Sequence, residues 1–517
     1  MSGNKLKVGI LASTENLPAW SFYIIEQLQA SDYAEVSLII KEVPPSAQSL
    51  TKKIVYTYLR AEKRPPQTHT EDEVKPLLDG IILASTLDPN LLTLKLDLIL
   101  HLGVQPAPSH LAQTARFGLW EISNGEHTVR ADDIPGFFEV LHREPITTCA
   151  IVATDGEVNR IVQQGQIATD PISISRNREN FFWKASFLLL KGIRKLHTDG
   201  KLVSNAASQI RSSHYSGSRP NIPDLMRLAV NQVSRFAIKK VRKRFYRDQW
   251  ILMLAKSTEE IELSWDAFQP LFPPSDRFWA DPFILKQGDR YYVFIEELPY
   301  KTNRGHIACI ILDEDGNLLE NRPILEKPYH LSYPFIFEYD GTLYMVPETG
   351  ANSTIDSYRC VSFPFKWEYH KTLMSNIEAK DATLKQYSRK WWLFVTVREH
   401  KQGSTWDQLS IFWADTPLTD EWTPHPLNPV VNDVRTARPA GHIFSQNGNL
   451  IRPSQDCSVR YGYALNFNRI TKLSETEYEE VRETRLEPLP DTNILATHTF
   501  NKVGKMTIID AVIRRRR

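Results

Sequence analysis

Cysteine is scarce in this chain. Cys149, Cys309, Cys360 and Cys457 are the whole complement and none stands in a CxxC pair, so no thiolate zinc site or disulfide framework is supported and reduced, buried thiols are expected. Long apolar runs are missing too. The amino-terminal stretch MSGNKLKVGILAS has too short an apolar run for a secretory signal or a membrane span, which gives the expectation of a cytoplasmic protein. Nor is there a surplus of one charge: 62 basic and 61 acidic residues leave a formal charge of +1. That balance offers no general argument for nucleic acid.

Aromatic residues, by contrast, are plentiful. The 517 residues include 12 Trp and 19 Tyr, flat amphipathic rings that serve equally in cores and against sugars. A chain of this length exceeds one ordinary core, and its texture divides it into three regions. Residues 1–200 alternate apolar runs (KVGILAS, AEVSLIIKE, KLDLILHLG) with a helical pattern, PAWSFYIIEQLQAS, that puts Trp20, Ile24 and Leu28 on one face. Such alternation predicts an α/β domain with a parallel sheet covered on both sides. Residues 201–249 hold a small, polar linker and then a basic amphipathic helix over 224–247, capped by Asp224, with eight Lys or Arg and a stripe of Leu225, Leu228, Val233, Phe236, Val241 and Phe245. A helix of this kind suits either an interdomain packing role or peripheral contact with an anionic membrane at its inner face.

From residue 250 to 517 the pattern becomes short strands separated by turns. Four units align: ADPFILKQGDRYYVFIEE, SYPFIFEYDGTLYMVPE, KDATLKQYSRKWWLFVT and ARPAGHIFSQNGNLIRPS. Their anchor residues Asp281, Tyr333, Asp381 and Arg438 lie 52, 48 and 57 positions apart, and His498 heads a fifth unit 60 further on. Repetition near 50 residues with several strands per unit predicts a five-bladed β-propeller, because one sheet cannot bury both faces whereas blades packed in a ring can. Equivalent positions then stand around one axis, and the five anchors converge on a shared channel.

Two carboxyl groups on opposite sides of a sugar, one protonated and one ionised, are what glycosidic chemistry requires, at roughly 6.5 to 9.5 Å when configuration inverts. Asp281 and Asp381, from blades one and three, are the first candidates, with Glu348, Glu296 and Glu297 as further acids. Tyr333, Arg438, Arg452, Asp456 and His498 are candidates for holding hydroxyls or an anionic group. An ion pair between Asp281 and Arg438 that closes the channel is the purely structural alternative.

The pieces FWADPF, SYPF, DATL, RPAG and RPSQDCSVRYGYA resemble the five-bladed propellers of arabinanases and family-43 glycoside hydrolases, and more closely the N-terminal propeller domain of plant glucosamine inositolphosphorylceramide transferases. The hydrolase resemblance implies a catalytic base at Asp281 and a channel metal ion near His498, with Tyr333 standing where the hydrolases have an Asp and Asp381 where they have a Glu. In the plant family the sugar transfer is assigned to a separate domain, so that resemblance leaves turnover by the propeller open. Over residues 5–196, KVGILAS, LDLILHLG, RFGLWEISNGE and VNRIVQQGQIATD resemble a formyltransferase N-terminal domain. Its Asn-x-His and Asp positions fall on Glu121, Ser123 and Gln163, so the resemblance implies a sheet with Gly103 and Glu121 near its ligand crevice but without the formyl-transfer set.

These readings converge on a protein acting on a glycosyl group in the propeller channel, in glycan or glycolipid metabolism. The alternatives are a non-catalytic glycan-binding or assembly protein and, more remotely, formyl transfer to an amino sugar. No nucleic-acid partner, protein metal site or certain cofactor is expected beyond that channel ion.

Overall fold

A computed structural model describes residues 4–13, 16–42, 68–85, 93–125, 127–156, 158–202, 220–257, 261–262, 264–398 and 400–516. Most of the small, polar linker expected before the basic helix lies outside these residues. The chain divides into two compact units, with the boundary after Ala237.

In the first unit, strands β1 (Leu6–Ala12), β2 (Ala34–Lys41), β3 (Ile82–Ser85), β4 (Leu98–His101), β5 (Leu119–Ser123), β6 (Ile146–Thr154) and β7 (Asn159–Ala168) form one sheet in the order β3-β2-β1-β4-β5-β6-β7. The first five are parallel, and β6 and β7 add an antiparallel edge. Helices α1 (Ala19–Ala30) and α2 (Ile174–Asp199) cover one face, where Trp20, Ile24 and Leu28 sink into a core with Phe181 and Phe182. Leu11, Leu38 and Ile99, pointing the other way, form a second core with Leu111. Two apolar faces are why the strands read as unbroken hydrophobic runs.

Helix α3 (Ile222–Phe245) follows. Its start differs from the expected Asp224 cap: Asn221 Oδ1 accepts the Asp224 N–H, and Asp224 Oδ2 accepts the Asn221 N–H. This reciprocal pair is a capping box with Asn221 as the cap residue.

The second unit is a five-bladed propeller. Strands β8 (Tyr246–Lys256) and β9 (Gln269–Leu271) come first. Blade one is β10 (Arg277–Gln287), β11 (Arg290–Pro299), β12 (His306–Leu312) and β13 (Leu318–Leu325). Blade two is β14 (Ser332–Tyr339), β15 (Thr342–Glu348), β16 (Thr354–Ser362) and β17 (Lys366–Ser375). Blade three is β18 (Ala379–Tyr387), β19 (Lys390–Val397), β20 (Ser410–Ala414) and β21 (Thr423–Pro424), and blade four is β22 (Phe444–Gln446), β23 (Asn449–Asp456), β24 (Ala464–Leu473) and β25 (Tyr478–Leu486). The fifth is composite. Its C-terminal strands β26 (Ile494–Ala496), β27 (Phe500–Val503) and β28 (Met506–Arg516) are completed by β8 and β9, with β8 and β28 paired antiparallel from Tyr246↔Arg516 to Lys256↔Met506. The propeller therefore begins at Tyr246, a few residues inside the segment that the sequence assigns to the helix and linker. None of the four cysteines is in a disulfide, and Cys149, Cys309 and Cys457 are buried.

Candidate functional site

The anchors of blades one to three share a position and also a backbone conformation that Arg438 and His498 lack. Asp281, Tyr333 and Asp381 have φ of 52°, 45° and 57°, and in each blade the pairing of the first two strands shifts across the anchor, between Ala280 and Phe283, Ser332 and Phe335, and Lys380 and Thr383. Each anchor is thus the extra residue of a β-bulge, which turns its side chain out of the ladder. Left-handed backbone at a non-glycine residue costs about 1 to 2 kcal/mol, and the hydrogen bonds gained by the bulge offset it.

Those bonds link one blade to the next. Asp281 N–H donates to Asp510 Oδ2 of the last strand (2.9 Å), while Asp281 Oδ2 accepts the Tyr333 N–H (3.0 Å) and its Oδ1 accepts Thr499 Oγ1 (3.0 Å). The Tyr333 hydroxyl accepts the Gly441 N–H (2.7 Å) and shares a proton with Thr383 Oγ1 (2.8 Å). Asp381 receives Arg438 on both oxygens (2.5 and 3.2 Å) and Gln455 Nε2 on one (2.8 Å). Arg438 therefore pairs with Asp381 and not, as the channel-closing alternative had it, with Asp281. All these side chains are buried.

The imidazole of His498 lies between two carboxylates, 2.6 Å from Asp510 and 3.5 Å from Asp281. Burial works against its charge, but the two acids overcome that and push it up to about 9, so His498 is an imidazolium at neutral pH. Asp281, His498 and Asp510 also offer one ligand atom each within 4.8 Å of one another. That spacing and donor set suit a metal ion. The positive charge of the imidazolium, with Nδ1 toward Asp510 and Nε2 toward Asp281, already does that electrostatic work, and a metal would have to displace a ring proton.

Second-strand carboxyls occupy equivalent places beside the bulges. Glu296 pairs in register with Ala280, and Glu348 with Ser332. Glu348 is held by Lys380 (2.6 Å) and approached by Arg438 (3.7 Å). Glu296 meets His330 Nε2 (3.1 Å), and since His330 Nδ1 accepts the Gly305 N–H, the neutral ring carries its proton on Nε2 and donates it to Glu296. Burial pushes Glu296 up to about 7 against the pull of His330. Glu297 behaves in the opposite way. Burial again opposes its charge, but donors from His306, Trp279, Asn321 and Arg277 hold it down to about 2, which makes it a fixed counter-ion and removes it as an acid candidate.

Two expected site residues belong elsewhere. Arg452 is fully buried against Glu480 and the Thr436 carbonyl inside blade four. Asp456 accepts from Ser458 and pairs with Arg485. Their neighbour Gln455 reaches Asp381 instead.

Several site residues had no signal in the repeat. Trp250 stacks on His498 (centroids 4.0 Å apart), and Tyr461 meets the same imidazole edge-on at 5.3 Å. Arg438 lies 5.0 Å from the Tyr461 ring, and Trp406 5.9 Å from it on centroids. All three aromatic rings are half-buried. Tyr461 lies in the RYGY run that follows blade four's second strand, but Trp250 enters only because β8 joins the last blade.

In the α/β domain, Glu121 bonds His101 Nδ1 (2.9 Å), Gly103 backs onto the Glu42 carboxylate, Ser123 Oγ accepts the Gly125 N–H and Gln163 is buried.

Residues 269–490 match the family described as glucosamine inositolphosphorylceramide transferase 1, N-terminal. The matched stretch covers β9 and blades one to four. Curated relatives include glucosamine inositolphosphorylceramide transferase 1 of Oryza sativa subsp. japonica, 35% identical over 207 residues, which are 40% of this chain and 28% of that protein. The Arabidopsis thaliana protein of the same name is likewise 35% identical over 207 residues, 27% of its length. The chain thus matches little more than a quarter of these relatives. Among solved structures, a family 117 glycoside hydrolase from Zobellia galactanivorans aligns over 51% of this chain and 90% of its own at 12% identity and a TM-score of 0.34. The exo-β-1,3-galactanase of Phanerochaete chrysosporium aligns over 51% and 64% at 11% identity and a TM-score of 0.32.

Proposed function

We propose that the propeller is a carbohydrate-active module whose channel mouth takes a glycosyl group, that of a glycan or of a glycolipid head group. One observation carries this reading: the half-buried rings of Trp250, Tyr461 and Trp406 are linked by ring contacts to His498 and Arg438 of the paired polar floor. Rings present an apolar face to the C–H side of a sugar, and charge-assisted donors and acceptors serve its hydroxyls. The name of the matched relatives supports an amino sugar or an inositol phosphate as part of the ligand.

Calorimetric titration of the full chain with glucosamine, inositol phosphate and inositolphosphorylceramide in detergent tests the reading. Trp250→Ala should weaken binding of whichever ligand is taken by at least about tenfold. Absence of binding to all three, or an unchanged affinity in the variant, would sink it.

Two observations bear on whether binding leads to turnover. Both oxygens of Asp281 and of Asp381 are already engaged in joining blades, which favours recognition. Glu296, raised to about 7, is half protonated at neutral pH and suited to giving a proton to a leaving oxygen, which favours glycosyl transfer or hydrolysis. With Glu296→Gln, turnover on glycan substrates should vanish while binding stays within about twofold, and any rate should fall above pH 7 as the acid ionises. A chain that binds sugar but shows no rate for this substitution to remove is the recognition protein.

A further inference from the structure

Helix α3 has an apolar face that no described residue covers. One side is held to the α/β domain: Leu228 is 1% exposed in a cluster with Phe137, Val140 and Ile174, and Gln232 and Arg235 donate to the carbonyls of Ile172 and Pro171. Those residues recur at i, i+4 and i+7, so they define one face. The other face carries Met226, Val230, Val233 and Val241, which are 67%, 69%, 71% and 58% exposed, and Phe236 beside them is 63% exposed. Only Leu225 and Leu228 of the stripe expected from sequence are turned inward. The helix contains seven Lys or Arg and one acidic residue, Asp224 in its first turn. Lys239, Lys240, Arg242 and Arg244 are all exposed around its last two turns.

We propose that this face is a docking surface for an anionic lipid bilayer, with α3 lying in the plane of the interface. Apolar side chains enter the acyl boundary while basic residues reach phosphates, a division that needs both halves of the pattern on one helix. Long basic side chains bury their stems and keep their charge at head-group level. The charge selects this occupant over a second copy of the chain, since pairing two such helices would bring basic clusters together without an acid to compensate. No helix among the described residues is long and apolar enough to cross a membrane, which fits a helix that lies on the surface. This inference is independent of what the channel binds.

Co-sedimentation of the full chain with vesicles tests it. The chain should pellet with phosphatidylcholine containing phosphatidylserine and stay in solution with phosphatidylcholine alone. Added salt should release it. Combined Lys240→Gln and Arg244→Gln, on the Val233 side of the helix, should weaken partition about thirtyfold, the equivalent of about 1 kcal/mol for each basic residue. Combined Val230→Glu and Val233→Glu should abolish it with the circular dichroism spectrum intact, because both sites are exposed. Failure to pellet with the anionic vesicles overturns the proposal. So does unaltered pelleting of the Val230/Val233 variant, or a dimer in solution that these two substitutions dissociate.

Discussion

His498 concentrates the electrostatics of the channel in one side chain. Its imidazolium is satisfied by Asp510 and Asp281, and its folded pKa stands at about 9 against an ordinary 6.5. A group raised on folding contributes its full stability below the unfolded value and loses it as pH climbs through the folded one. Stability should therefore decline between about pH 6.5 and 9 by about 3 kcal/mol at 1.36 kcal/mol per unit. Urea midpoints across that window, compared with those of His498→Gln, check this; a wild-type curve as flat as the variant's contradicts it. The spacing of Asp281, Asp381, Arg438 and His498 makes this cluster legible in the sequence, since repetition around one axis brings His498 to Asp281 and Arg438 to Asp381. Gln455 is not legible in the same way. Along β23 alternate side chains face opposite sides, and the run RPSQD gives no sign of which parity faces the channel. Arg452 and Asp456 look chemically suited, yet they share the parity that meets Glu480 and Arg485.

At the scale of the element, the bulge is the device that repeats. Tyr333 breaks the carboxylate series as read from the sequence, but its backbone N–H serves Asp281 and its hydroxyl serves Gly441 on a distant loop. Removing that hydroxyl by Tyr333→Phe leaves the Gly441 N–H without its acceptor in a position that water does not reach. The expected loss is about 1 to 3 kcal/mol, the cost of an unpaired buried donor. Chemical denaturation measures it, and a change of only a few tenths would mean that the loop finds another acceptor. Strands are thus readable from local pattern, whereas the bulges appear only in the strand register. The partner of each anchor is not readable there either, because it lies on another blade and follows from ring geometry alone.

At the scale of the whole propeller, the composite blade makes the ring continuous. β8 and β28 are central strands of that sheet, and Leu252 on β8 is fully buried beside Ile508 and Val293. Leu252→Ala should cost about 2 to 5 kcal/mol and should shift the transition of every blade together, since no blade closes its faces without both neighbours. Thiol labelling of the buried Cys309 in blade one and Cys457 beside blade four, followed by mass spectrometry through the denaturant transition, should move in step with the loss of strand signal; different midpoints at the two thiols would show blades that melt separately. The sequence shows five units but not this arrangement, because its fifth unit supplies the inner strands and nothing in the local pattern names β8 as their neighbour. The same pairing sets a clock on biosynthesis. Asp248 and Arg514 meet across 266 residues, and at roughly 5 to 20 residues per second a ribosome takes on the order of ten to fifty seconds to travel that distance. Through that interval the apolar strand WILMLA is without its β28 mate, and one of its edges stays open to pairing with another chain until that strand is made.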